Sequence, residues 1–339
     1  MLSPINMNAL KPKNTNVFEP KKNMMLLDLK IDTTYDDDFF RNSVQEVQNA
    51  LREERRGDFE EPALVELTED DIFTEEVRNE TFIAEGGFGS VSSVEYGEDN
   101  TCVVKTIDGN DGLAEAAKLK EVGGIVPAFL GYEEEANTVK IYMEKCTGSV
   151  EDLIQSGYFE ENLEAKLDMI QQVFTLIQNL KETNFAHCDI KAANIGYIEN
   201  EDEKVYKLLD FGSACKLNED GRGMPGLTTM DFKAPEHIAE NGVIFNGHKL
   251  DIYAIGGMIF NLETGELPMD SVREKNRGRT EDIIADRIEQ ELHGYYITNT
   301  CHIIPDEIPS ILKNIIRDCW ESNPTVRKSA EQMLQCYFN

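Results

Sequence analysis

The sequence is poor in positive charge and has no long apolar run. Against 64 Asp and Glu it carries only 33 Lys and Arg, a formal net charge of −31 over 339 residues. Such a surface repels polyanions, so nucleic acid and anionic lipid are not expected as partners and basic ones are favoured. No stretch reaches the roughly 18 apolar residues of a membrane span. IYAIGGMIFNL (252–262) comes nearest and reads as a buried helix, so no membrane insertion is expected. The amino-terminal MLSPINMNALKPK lacks the apolar centre of a signal peptide. The seven cysteines are scattered, odd in number and without a CxxC pair. That argues against a disulfide framework or a zinc site and suits a reducing, cytoplasmic compartment. The five histidines show no metal-ligand spacing either.

What is present supports a folded protein, since 40% hydrophobic residues suffice for a sizeable core. Residues 1–34 read as a mobile tail. YDDDFFRNSVQEVQNALREERRG (35–57) reads as one amphipathic helix, with Phe40, Val44, Val47 and Leu51 on a single stripe. The stripe could dock on the chain's own surface or on a partner. Residues 58–80 hold ten acids against one base, Arg78, and read as an acidic linker or an extended docking strap. From about residue 80 the texture changes. Alternating β-branched and aromatic residues around glycines predict three antiparallel strands over 80–107. A short helix over 111–121 and strands near 128–133 and 137–143 follow. Beyond residue 160 helices dominate, beginning with a long amphipathic one marked by Leu163, Leu167, Ile170, Val173, Phe174, Ile177 and Leu180. The expected organisation is an extension over 1–79 and a domain over 80–339, divided near residue 145 into a small sheet-rich lobe and a larger helical lobe.

Four short motifs carry chemistry. AEGGFGSV (84–91) lies between two predicted strands rather than opening a helix, which excludes a dinucleotide-binding turn and fits a hairpin whose amides close over phosphates. CVVK ends an apolar strand in Lys105, whose ammonium could enter a cleft, and Glu115 on the following helix could hold it in place. In HCDIKAANIGY (187–197), Asp189 could orient a hydroxyl and accept its proton, Lys191 could steady a transferred phosphoryl group, and Asn194 could bind a metal ion. VYKLLDFGSA places Asp210 at the end of a buried strand, where a carboxylate could chelate Mg²⁺ on nucleotide phosphates.

Together with FKAPE (232–236), DIYAIG (251–256) and a late Arg327, these motifs follow one order and spacing, and residues 80–339 resemble a eukaryotic-type protein kinase. The resemblance implies an α+β two-lobed fold, ATP and Mg²⁺ as cofactors, and a protein substrate. Ala84, Gly86, Gly87, Gly89 and Val91 would form the loop over the nucleotide, with Val91 against adenine. Lys105 and Glu115 would pair, Met143 would be the gatekeeper, and Glu144 and Cys146 would offer hinge backbone groups. Asp189 would be the catalytic base, with Asn194 and Asp210 on the metal. Glu236 with Arg327, and Asp251 beneath the catalytic loop, would be structural supports. Lys191 and Thr229, the latter placed to bond the catalytic Asp and Lys, point to Ser/Thr hydroxyls.

Three departures stand out. Ala84 replaces the first loop glycine, and only ten residues separate Lys105 from Glu115, so the helix bearing Glu115 is expected to be short at its start. Cys188 occupies the place where most members carry an Arg that grips a phosphorylated loop residue. A thiol cannot make that charge-assisted contact, so activity without loop phosphorylation is expected. The rival readings are a pseudokinase scaffold acting through its amino-terminal surfaces and a small-molecule phosphotransferase. The small lobe's divergence would suit a viral or bacterial kinase acting in a host cytoplasm.

Overall fold

The computed structural model describes residues 62–339, apart from residues 87–88, 110, 201–202, 225, 227 and 240–244. The amphipathic segment 35–57 and Gly87 therefore lie outside the described residues. The smaller lobe is an antiparallel sheet of β1 (Val77–Gly86), β2 (Gly89–Tyr96), β3 (Asn100–Asp108), β4 (Phe129–Glu135) and β5 (Thr138–Glu144), in the order β1-β2-β3-β5-β4. Between β3 and β4 runs α1 (Asp111–Val122), matching the expected short helix. The first strand begins inside the segment read as a linker. Residues before it also belong to this lobe: Phe73 is buried, stacked on Tyr142 at 3.9 Å, and Ile72 forms a parallel bridge to Tyr132.

Alternation decides which side chains of the sheet point inward. Cys102 and Val104 are buried on one face of β3 with Val94, Tyr142 and Phe73, while Ile107 joins the larger core shared with α1. The β1–β2 register pairs Gly86 with Gly89 and Val91 with both Ala84 and Lys105. Gly89 is required at its place. Its φ is +122°, and a Cβ there would lie 2.1 Å from the Thr106 carbonyl oxygen.

The larger lobe opens with β6 (Gly148–Ser149) and α2 (Val150–Gln155), which starts in a Ser149/Asp152 capping box. The long α3 (Leu163–Glu182) is capped by Asn162 and buries Met169, Ile170, Val173, Phe174, Leu176, Ile177 and Leu180 along one stripe. After β7 (Phe185–Ala186) come β8 (Ile195–Asn200) and β9 (Glu203–Leu208), which form a small sheet in the order β6-β8-β9. Next, β10 (Cys215–Lys216) pairs with β7. The segment then passes through β11 (Arg222–Gly223), α4 (Pro235–Ala239) and β12 (Phe245–Asn246). The central α5 (Gly247–Thr264) contains the apolar run 252–262 and buries nearly all of it. It stops at Gly265, whose φ is +71°. The remaining helices are α6 (Asp270–Lys275), α7 (Glu281–Thr298), α8 (Ser310–Cys319) and α9 (Ala330–Tyr337). Among the described residues no helix is long and apolar enough to cross a membrane.

Candidate active site

Lys105, on β3, is the first charge of the site. It pairs across the sheet with Ile141 on β5 and Val91 on β2, so its stem is fixed by strand register rather than by chance packing. Its ammonium lies 2.7 Å from Glu115 Oε1 and 2.8 Å from Asp210 Oδ1. Burial works against the ammonium, but the two carboxylates outweigh it and hold the Lys105 pKa above its ordinary value. Burial pushes the Glu115 carboxyl up, with Lys105 opposing. At Asp210 burial also pushes up, yet the ammonium and the Gly212 N–H hold the carboxyl below the usual range. The Asp210 side chain is still 28% exposed, so this carboxylate faces solvent while its partners do not. Its φ of +57° is a left-handed conformation that Asp tolerates better than most residues.

Across the cleft, the loop after β7 is held by backbone amides. The N–H groups of His187 and Cys188 donate to Asp251 Oδ2 at 2.9 Å and Oδ1 at 2.7 Å, and Asp251 is fully buried on α5. This double anchor lets Cys188 adopt φ +65°, a conformation that strains a residue with a Cβ. His187 donates from Nε2 to the Leu209 carbonyl at 2.7 Å, which leaves Nδ1 to accept from the Asp189 N–H at 3.3 Å. The ring thus ties the loop to the residue preceding Asp210.

Asp189 is held on three sides. Asn194 Nδ2 donates to its Oδ2 at 2.9 Å and to its carbonyl at 2.8 Å, Lys191 Nζ sits 2.9 Å from Oδ2, and the Thr229 N–H donates to Oδ1 at 2.9 Å. Lys191 also donates to the Thr229 hydroxyl at 2.8 Å. Both amide protons of Asn194 are spent on Asp189, so its amide oxygen is what remains for a cation. An oriented carboxylate beside an ammonium can receive a hydroxyl proton while the ammonium offsets charge developing nearby.

The residue set also fits a nucleotide with a hard divalent cation. Mg²⁺ takes oxygen donors and is held by one or two protein groups plus phosphates rather than by a closed protein cage. The Asp210 carboxylate and the Asn194 amide oxygen meet that demand, and Lys105 supplies a fixed cation for phosphate. Met143 and Glu144 end β5, and the Glu144 N–H already bonds the Ala128 carbonyl at 2.9 Å. Cys146 follows, with its thiol against Gly196, where a Cβ would lie 2.9 Å from the sulfur.

The structure therefore brings together Lys105, Glu115 and Asp210 in one cluster and Asp189, Lys191, Asn194 and Thr229 in another. Ala84, Gly86, Gly89 and Val91 sit on the β1–β2 hairpin as expected. Cys188 lies in an apolar cluster with Ala186, Cys215 and Leu217, its sulfur 3.7 Å from that of Cys215. The Cys215 contact and burial push the Cys188 thiol well up, which suits an inert filler better than a nucleophile. Sequence reading missed Glu121 and Lys216, which meet outside the cleft (below). Only their adjacency to motif residues hinted at them.

The family model for the protein kinase domain matches residues 77–338. The chain is similar to serine/threonine-protein kinase 1 of African swine fever virus, 32% identical over 228 residues, covering 66% of each chain. It is also similar to mouse mitogen-activated protein kinase kinase kinase 4, 28% identical over 274 residues, covering 76% of this chain and 16% of the relative. The yeast serine/threonine-protein kinase KIC1 is 27% identical over 224 residues, covering 66% of this chain and 19% of the relative. Thus the chain spans two-thirds or less of the length of these relatives. Over most of its length, with the two-lobed fold just described, the chain belongs to the protein kinase family.

Proposed function

We propose that the chain is an ATP-dependent protein kinase that phosphorylates Ser/Thr hydroxyls of protein substrates and works without phosphorylation of its activation segment. The observation that carries this reading is the Lys105 ammonium shared between Glu115 at 2.7 Å and Asp210 at 2.8 Å. It puts a buried cation beside the one partly exposed carboxylate of that cluster. Mg·ATP, when bound, supplies the phosphoryl group and the divalent charge that offsets it. Lys105 would then position phosphate oxygens, and Asp210 with the Asn194 amide oxygen would hold the metal. The β1–β2 hairpin covers the phosphates, and Met143, Glu144 and Cys146 border the base. Asp189 orients the attacking hydroxyl and takes its proton, while Lys191, steadied by Thr229, offsets charge on the moving group.

Ser/Thr specificity is supported by the Lys191–Thr229 bond and by the names of two relatives. Independence from loop phosphate is supported by the apolar surroundings of Cys188, which offer a phosphate no cation from that position. A net charge of −31 is compatible with basic substrates, and scattered cysteines without a CxxC pair suit a reducing, cytoplasmic setting. The test is transfer from Mg·ATP to a mixed basic protein substrate by the full chain, repeated with Asp189→Ala and Asp210→Ala. Losses of about 10³-fold or more are expected in both variants. An inactive wild type, or two fully active variants, would sink the reading. Phosphatase treatment of the wild type should leave its rate unchanged.

A further inference from the structure

Helix α1 is pinned at both ends by contacts outside the cleft. Near its start, Gly112 packs so closely on Val139 of β5 that a Cβ would lie 2.5 Å from the valine side chain. At its end, the last turn meets an acidic strap, residues 63–73. The Val65 N–H donates to Glu121 Oε2 at 3.1 Å, and Lys120 donates to the Glu66 carbonyl at 3.2 Å and to Asp71 at 2.7 Å. The strap is itself anchored. Leu64 and Leu67 pack against the core, and the Phe73 N–H donates to the Tyr132 carbonyl at 2.9 Å. Gly131 makes room, since a Cβ there would lie 2.9 Å from the Asp71 carbonyl oxygen.

The other oxygen of Glu121 is taken from the opposite side. Lys216, on β10 just after the Asp210 motif, donates to Glu121 Oε1 and, at 2.6 Å, to the Ala63 carbonyl. Both side chains are mostly buried, at 16% and 18% exposure. One carboxylate thus joins the helix bearing Glu115, the segment following Asp210 and the strap. Beside Lys216, the Cys188–Cys215 cluster is filled. A Cβ on Gly223 would lie 2.7 Å from the Cys215 sulfur, and one on Gly247 2.3 Å from the Ala186 side chain.

We propose that Glu121 and Lys216 are positioning residues: an ionic latch, closed over by residues 63–65, that holds α1 where Glu115 meets Lys105 without any loop phosphate. The inference rests on the protein kinase reading for its kinetic consequence. Where a charge-sensing contact could sit at position 188 there is an apolar plug. The charged link between the activation segment and α1 lies instead at Lys216, the residue after Cys215 of that plug, with both partners supplied by the chain. Exposed ion pairs contribute little, but this pair is mostly shielded and each member has a further backbone partner. Breaking it shifts α1 toward a displaced state.

The test uses the full chain with Lys216→Met, Glu121→Gln and the conservative Lys216→Arg, read by amide hydrogen exchange and by steady-state kinetics. In the first two, exchange of the protected amides of α1 should quicken about tenfold, while α5 exchange stays unchanged. kcat should fall severalfold with the protein-substrate KM unaltered, and Lys216→Arg should keep at least half of the wild-type kcat. Wild-type exchange in α1 of Lys216→Met overturns the latch. So does a rise spread equally through α5, which would mark general destabilisation. If the wild type transfers no phosphate, the kinase reading falls on its own and α1 exchange still decides the latch.

Discussion

Two buried ion pairs in this molecule look alike and behave differently. Arg327 grips Glu236 with two bonds of 2.6 and 2.9 Å, and two further donors go to the carbonyls of Glu321 and Lys249. Its guanidinium also lies 4.9 Å over the Tyr253 ring. Four of its five N–H groups are paired inside the protein, and neither member of the pair reaches solvent. Lys105 and Glu115 form an equally buried pair, but the same ammonium also holds Asp210, whose side chain reaches solvent. A saturated pair can only brace the fold. An unsaturated one can brace and also receive a charged ligand, because one partner is left open.

The sharpest way to break this comparison is Glu236→Ala. It strands a buried guanidinium that cannot lose its proton, and a loss of about 3–5 kcal/mol is expected from urea unfolding midpoints. A change under about 1 kcal/mol would show that the pair does not brace the fold. Lys105→Met should do the reverse. Phosphotransfer should fall about 10²–10³-fold, while stability changes by no more than about 1–2 kcal/mol. The reason is that Glu115, its pKa already raised by burial, can take up a proton once its partner is gone.

Acid should weaken the bracing side. His302 packs 4.6 Å from the Trp320 ring, and its buried Nε2 has no hydrogen-bond partner among the described residues. Burial depresses its pKa from 6.5 to about 4. Between these values the unfolded chain binds the extra proton. The stability held by neutral His302 is therefore complete above pH 6.5 and lost as pH falls toward 4, up to about 3 kcal/mol. His302→Phe should flatten that part of the pH profile, and an unaltered slope in thermal melts at pH 4.5–6.5 would contradict it. The smallest effect is expected at Thr228, whose buried hydroxyl has no hydrogen-bond partner among the described residues. Thr228→Val should leave activity unchanged and stability equal or higher by up to about 1 kcal/mol. Thr229→Ala should instead slow transfer by removing the Lys191 bond. Loss of activity in Thr228→Val would point to a phosphorylation site after all.

The parts of the site legible in the sequence were those carried by short motifs. Lys105, Asp189, Asn194 and Asp210 each stand at a fixed offset within a few residues of glycine, apolar or catalytic-loop neighbours, and the fold brings them into two adjacent clusters. Helices over 111–121 and 163–180 were legible from periodicity, since one face of each is core. The strand leading to Asp210 was legible, but its hairpin partner β8 was not separated from its surroundings, because it is short and ends half-exposed. Residues 58–80 left both a linker and an extended docking strap open for a different reason. The ten acids of 58–80 mask Leu64, Leu67 and Phe73, and three apolar anchors in an extended segment produce no period. The Glu121–Lys216 contact joins residues 95 apart, so no local pattern could announce it.

The two amides tied to Asp251 have a consequence for how such a chain can change. The loop carrying Asp189 takes its shape from main-chain bonds, so the side chain at position 188 is an exchangeable fitting rather than part of the frame. A lineage can swap that fitting, a sensor in one protein and a stopper in another, without recasting the machinery beside it. In this chain, control and chemistry are separately editable.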